Sequence, residues 1–141
     1  MDISIKTYLN NSIPKGAIGW MIDIVEKNMK TIYERDNFNW NRDEKIAELS
    51  ETENYLMIDG AGFLGFRNEL DGSETRNTTY IYEIQLEPEF TQNGLGTKLL
   101  EELFKLVKDN ENLPNLLIVF YENFRNGLPE HSFGHFSTLH S

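Results

Sequence analysis

The sequence predicts a single α/β domain of the α+β kind, a mixed central sheet flanked by helices, and three observations carry that reading. Apolar residues recur at helical spacing from Ile18 onward, and residues 79–86 alternate as a strand does. Residues 79–120 then run strand, glycine turn, helix, apolar strand. That order is a βαβ unit, which sets two parallel strands in one sheet with the helix packed across it. The chain has 141 residues, about the size at which one core buries roughly 70% of the unfolded surface. One domain over residues 1–141 follows, with no internal repeat or Pro/Gly/Ser-rich linker to divide it.

Taken in order, Ile3, Ile5 and Tyr8 mark a short N-terminal strand or arm. Ile18, Ile22, Val25, Met29 and Ile32 share one helical face, opposite Asp23, Glu26, Lys27 and Lys30. The asparagine-rich stretch 36–41 is irregular, and 42–49 forms a second, short helix. Strands 55–58 and 63–66 are joined by Asp59-Gly60-Ala61-Gly62, a hairpin signal whose glycines accept positive φ. A polar loop over 68–78 leads to strand 79–86. Alternation puts Tyr80, Tyr82, Ile84 and Leu86 on one of its faces and Ile81, Glu83 and Gln85 on the other. Pro88 ends the strand, because proline donates nothing to a ladder. After the glycine turn a helix buries Leu95, Leu99, Leu103, Leu106 and Val107. Asp109-Asn110 with Pro114 stop that helix, and the apolar run 116–120 is a strand covered on both faces.

Composition narrows the function classes. Against 13 basic side chains stand 23 acidic ones, a formal charge of −10, which argues against direct nucleic-acid binding and favours a cationic partner. With no cysteine there is no disulfide and no thiolate metal site, and His131, His135 and His140 lack a ligand spacing, so no metal is expected. No apolar run approaches the ~20 residues of a membrane span. Met1-Asp2-Ile3-Ser4 has neither the basic start nor the apolar stretch of a secretory signal. The expected setting is soluble and intracellular, without membrane attachment.

The glycine turn Thr91-Gln92-Asn93-Gly94-Leu95-Gly96 is neither a dinucleotide fingerprint nor a P-loop, since Leu99 stands where the third glycine would fall and Lys98 follows Thr97. What remains is a tight turn opening a helix, where unsatisfied N–H groups and the positive dipole end suit phosphate oxygens. Its context is more specific. The strand Tyr80-Ile81-Tyr82-Glu83-Ile84-Gln85-Leu86, followed by this turn, resembles the acetyl-CoA-binding segment of the GNAT acetyltransferases. Their turn has the form Arg/Gln-x-x-Gly-x-Gly/Ala. Here Thr91 stands where Arg or Gln is usual, with Gln92 one place later. The resemblance implies the GNAT acyl-CoA N-acyltransferase fold. It also implies acetyl-CoA as acetyl donor, its pyrophosphate held by the backbone of Gln92, Asn93, Gly94, Leu95 and Gly96.

A narrower likeness joins Glu26-Lys27-Asn28-Met29-Lys30, the stretch Phe38-Asn39-Trp40-Asn41-Arg42, and Tyr-x-Tyr-Glu-x-Gln-Leu at 80–86. Together these resemble the N-alpha-acetyltransferase D family, which acetylates the N-terminal amine of histone tails beginning Ser-Gly-Arg-Gly. The match spans about residues 18–123. It implies that Tyr80, Tyr82 and Glu83 belong to the active-site strand and that Trp40 lines the peptide pocket. Tyr33 joins that pocket, and either Glu69 or Asp71 binds the substrate tail. Asn123 takes the place of a coenzyme-contacting Asn after the central strand. The implied partner is a basic protein tail, and the implied location is cytoplasm and nucleus. Two alternatives stand beside this: a non-catalytic module that binds acetyl-CoA or a basic tail, and a GNAT enzyme acting on a small amine. Plain structural readings stand beside these roles: Trp40 as a loop anchor, Tyr80 and Tyr82 as strand aromatics, Glu69 and Asp71 as a solvated turn.

The implied chemistry suits the residue types. A protein α-amine has a pKa of about 7.7–8.0 and must lose a proton before attack. Glu83 is the expected base, directly or through one water, with a tyrosine hydroxyl as relay. A backbone N–H beside Gln85 or Leu86 is the expected oxyanion donor. After Asn123 the likeness ends. Residues 124–141 diverge, with Pro129 where the family has a helix, so the C-terminal elements are expected to be shortened.

Overall fold

The computed structural model describes residues 3–37, 39–70, 77–108 and 116–120. They form β1 (Ile5–Tyr8), α1 (Ala17–Arg35), α2 (Arg42–Glu51), β2 (Asn54–Ile58), β3 (Gly62–Leu70), β4 (Asn77–Leu86), α3 (Leu95–Lys108) and β5 (Leu116–Phe120). The strands make one sheet in the order β1-β2-β3-β4-β5. Pairing is antiparallel from β1 to β4, and β5 lies parallel to β4. The expected βαβ unit is therefore β4-α3-β5.

The sheet carries a core on each face. On one, Met21, Ile22, Ile24, Val25 and Met29 of α1 and Leu49 of α2 pack on Tyr55, Met57 and Phe63. On the other, Leu95, Leu99, Leu103 and Val107 of α3 pack on Leu56, Ile58, Leu64, Phe66 and Ile81. β2 is buried at all its positions, since its alternate residues feed the two cores in turn. α1 is buried more broadly than the single stripe predicted, because both the sheet and α2 cover it.

Local chemistry sets the boundaries. α1 opens at Gly16 in the left-handed region, φ 90°. The chain beyond α1 turns at Asn37 with φ 63°, a conformation that Asn tolerates better than most residues. The Asn41 side chain caps α2 by accepting from the Glu44 N–H at 3.0 Å. In the β2–β3 hairpin Gly60 has φ +75°, as its turn requires. Gly62 is needed for a different reason: a Cβ there would lie 2.5 Å from the Gln85 carbonyl oxygen.

Two expectations are corrected. The predicted loop 68–78 is partly strand, because the β3–β4 ladder continues through Glu69↔Thr78 and Leu70↔Asn77 despite the polar side chains. The strict alternation predicted for 79–86 also breaks. Gly65 pairs with Glu83 and Phe66 with Ile81, leaving Tyr82 as the extra residue of a β-bulge. The bulge shifts the phase. Ile81, Ile84 and Leu86 join the α3-side core, while Tyr82 and Glu83 line one cavity beside α2. Among the described residues no helix is long and apolar enough to cross a membrane.

Candidate active site

The bulge sets the site. It directs the Tyr82 and Glu83 side chains into one cavity of about 260 Å³, whose wall includes Lys45 and Glu48 of α2, Thr52, and Arg67 of β3. Glu83 is 4% exposed. A charge so buried is tolerated only when paired and hydrogen-bonded. Both conditions are met: Lys45 Nζ lies 2.6 Å from Oε1, and Gln85 Nε2 donates to Oε2 at 2.6 Å. Lys45 also reaches Glu48 at 3.1 Å. Burial by itself would lower the Lys45 pKa, but the carboxylates of Glu83 and Glu48 outweigh it, and Lys45 is held firmly protonated.

A second layer supports the pair. Asn28 of α1 donates from Nδ2 to Gln85 Oε1 at 2.9 Å and to the Leu86 carbonyl at 2.8 Å. Tyr33 packs edge-on to Trp40, with ring centroids 5.6 Å apart. Burial, chiefly, raises the Tyr33 pKa; Lys45 opposes that shift, and Glu83 and Glu48 add to it. Tyr33 therefore senses the ion pair. Arg67 lies over the Tyr82 ring at 6.0 Å.

The glycine turn follows at the end of β4, after a single 3-10 turn over Pro88–Phe90. Gly94 has φ +72°, and its carbonyl accepts from Lys98 N–H at 3.1 Å, so it caps α3. Helix geometry then leaves the amides of Leu95, Gly96 and Thr97 without intrahelical acceptors. A Cβ on Gly96 would meet only an ordinary contact, Leu86 Cδ1 at 3.7 Å, so internal crowding does not demand a glycine there. Bare backbone amides beside a positive helix end fit an anionic pyrophosphate. Asn93 contributes less than its place in the motif implies, because its N–H points to the Phe90 carbonyl at 3.4 Å.

The remaining predicted residues fall as follows. Gln85 is buried in the second layer, and Leu86 packs against the α3-side core. Gln92 lies exposed in the turn. Tyr80 is half-buried, opposite Arg67 on β3 and Val119 on β5, and does not line the cavity. Trp40 borders a separate depression with Lys30, Glu34, Asn37 and Asn39. Its Nε1 donates to Glu26 Oε2 at 2.7 Å, which makes it a loop anchor. Glu69 has its backbone in β3, but its side chain, like Asp71 and Asn123, lies outside the described residues. Lys45 and Asn28 were not singled out from sequence. The available signals were that Lys45 stands one helical turn before buried Leu49 and that Asn28 sits within the Glu-Lys-Asn-Met motif.

A model of the acetyltransferase (GNAT) family matches residues 23–127. The chain belongs to that family. GNAT acetyltransferases take their acetyl group from acetyl-CoA, in keeping with the turn that opens α3. Solved structures agree on the fold. A possible acetyltransferase from Clostridium difficile 630 superposes with a TM-score of 0.63 at 12% identity, over 99% of this chain and 93% of that one. A ribosomal-protein-alanine N-acetyltransferase from Brucella melitensis gives 0.56 at 12%, over 94% and 90%. An aminoglycoside acetyltransferase from an uncultured soil metagenomic sample, solved with sisomicin, gives 0.52 at 17%, over 82% and 76%. Neither the family match nor these structures carries the narrower histone-specific assignment made from the motifs.

Proposed function

We propose that this GNAT acetyltransferase transfers the acetyl group of acetyl-CoA to the free N-terminal α-amine of a basic protein tail. The observation that carries the proposal is the buried Glu83 carboxylate beside the β4 bulge, at the wall of a cavity that Glu48 and Glu51 also line. Among the described residues, its three carboxylates outnumber the two cations beside them, Lys45 and Arg67, which suits an acceptor that arrives as an ammonium ion and has to lose a proton.

The amides of Leu95, Gly96 and Thr97 hold the pyrophosphate of the donor, and the donor supplies the acetyl thioester. Glu83 accepts the proton of the α-ammonium, directly or through one water, and Tyr82 borders the same space as a relay. Backbone N–H groups of β4 beside Gln85 and Leu86 are the donors assigned to the reacting carbonyl.

The histone tail beginning Ser-Gly-Arg-Gly, met in the cytoplasm and nucleus, is the narrowest form of the proposal and rests on motif resemblance alone. The structure with sisomicin points to the alternative of a small amine acceptor. Coenzyme A release should therefore be compared for a Ser-Gly-Arg-Gly peptide, the same peptide blocked at its N-terminus, and an aminoglycoside. Turnover confined to the free peptide supports the α-amine reading, whereas faster turnover of the aminoglycoside overturns it.

A further inference from the structure

We propose that Lys45 and Asn28 are positioning residues for the transfer reaction, clamping Glu83 from α2 and α1 through one polar relay that also holds the end of β4. The proposal rests on Glu83 acting as proton acceptor, and it gives a task to the Glu-Lys-Asn-Met motif.

The relay has a single direction. Asn28 donates to Gln85, Gln85 donates to Glu83, and Lys45 donates to Glu83 from the other side. An ionised carboxylate only accepts, so the Gln85 NH₂ must face Glu83, and its carbonyl oxygen is then left for the Asn28 NH₂. The second Asn28 contact, to the Leu86 carbonyl, ties the relay to the strand end that leads into the glycine turn. Its neighbours act alike. Lys27 pairs with Glu87 at 2.7 Å, and Glu26 receives Trp40 and Arg42. The α1 motif thus grips both the exit of β4 and the entry to α2.

A clamp is useful because Glu83 follows the unpaired Tyr82, where the β3–β4 ladder is locally disrupted. Two of about four lone-pair sites on the carboxylate are filled by Lys45 and Gln85, which leaves capacity toward the cavity. Lys45, held as an ammonium, has no lone pair with which to compete for the acetyl group. Among the described residues, the other titratable groups around Glu83 are Glu48 and Glu51 from α2, Tyr33 from α1, Tyr55 from β2, Arg67 from β3 and adjacent Tyr82.

The test compares Lys45→Met, Lys45→Arg and Asn28→Asp with wild type by kcat, KM and thermal unfolding. Lys45→Met is expected to lose roughly tenfold or more in kcat, a share of the ~10²–10⁴ a positioned base supplies. Lys45→Arg, which keeps a cation and donor beside Glu83, should restore kcat. Asn28→Asp, unable to donate to either carbonyl, should lower kcat and raise KM for acetyl-CoA together. A folded Lys45→Met with wild-type kcat overturns the proposal. So does a loss that Arg does not relieve. If Lys45→Met does not fold, Asn28→Asp decides, and wild-type kcat and KM there overturn the proposal.

One readout needs no turnover. NMR of the lysine ammonium groups should show the Lys45 signal persisting into alkaline solution in wild type and disappearing earlier in Glu83→Gln. Equal persistence in both overturns the relay. If wild type acetylates no amine at all, the function reading fails, and this measurement alone judges the relay.

Discussion

Residue chemistry at the centre of the molecule is that of buried groups held in defined protonation states. Tyr55 is buried and donates its hydroxyl to the Leu49 carbonyl at 2.5 Å, and burial pushes its pKa above the ordinary 10.0. The folded state therefore keeps a proton that the unfolded chain releases. Its stabilising effect is complete below about pH 10 and is lost as pH rises through the raised value. Lys45 acts in the same direction, from an ordinary value of 10.5. Tyr55→Phe should cost about 0.5–1.5 kcal/mol at neutral pH, yet flatten the fall in melting temperature across the alkaline range. An alkaline slope equal to that of wild type would refute this assignment. Little of this was legible beforehand. Glu83 stood out in its motif, but one sequence does not show which lysine of a polar helix turns inward to meet it. Residues 42–49 read as a short helix with Asp43, Glu44 and Glu48 on a solvated face, and only the fold brings Lys45 to Glu83 of β4.

Elements were more legible than their joints. Periodicity located α1, β4 and α3, whose apolar positions repeat or alternate, and the hairpin glycines placed β2 and β3. The bulge at Tyr82 was not legible, since its cause is the register against Gly65 and Phe66 of another strand. The same holds for Gly62, which reads as a turn residue but serves a close approach of β3 to β4. Gly62→Ala would place a Cβ 2.5 Å from both the Gln85 carbonyl oxygen and Leu86 Cδ2. Backbone has to move, at a cost of about 1–3 kcal/mol, and the strand end that feeds the glycine turn moves with it. Lower thermal stability together with a raised KM for acetyl-CoA is the expected outcome. An unchanged KM would show that this strand end does not help place the donor.

At the scale of the whole molecule, the two-faced sheet puts α1 and α2 on one face, with the Glu83 cavity beside α2, and α3 on the other. β4 alone joins the proposed base to the proposed phosphate cradle. The family assignment was legible because strand, glycine turn and helix are contiguous in sequence. The Glu83 cavity was not, because it is assembled from α2, β3 and β4, and predicted tail-binding positions such as Asp71 lie outside the described residues. The formal charge of −10 fits a basic tail, and such attraction weakens with salt. The most direct measurement is mass-spectrometric location of the acetyl group after incubation with acetyl-CoA and a Ser-Gly-Arg-Gly peptide that also contains a lysine. An acetyl group on the N-terminal nitrogen, with no product from the blocked peptide, is the predicted result. Acetylation of the lysine side chain, in free and blocked peptides alike, would contradict it.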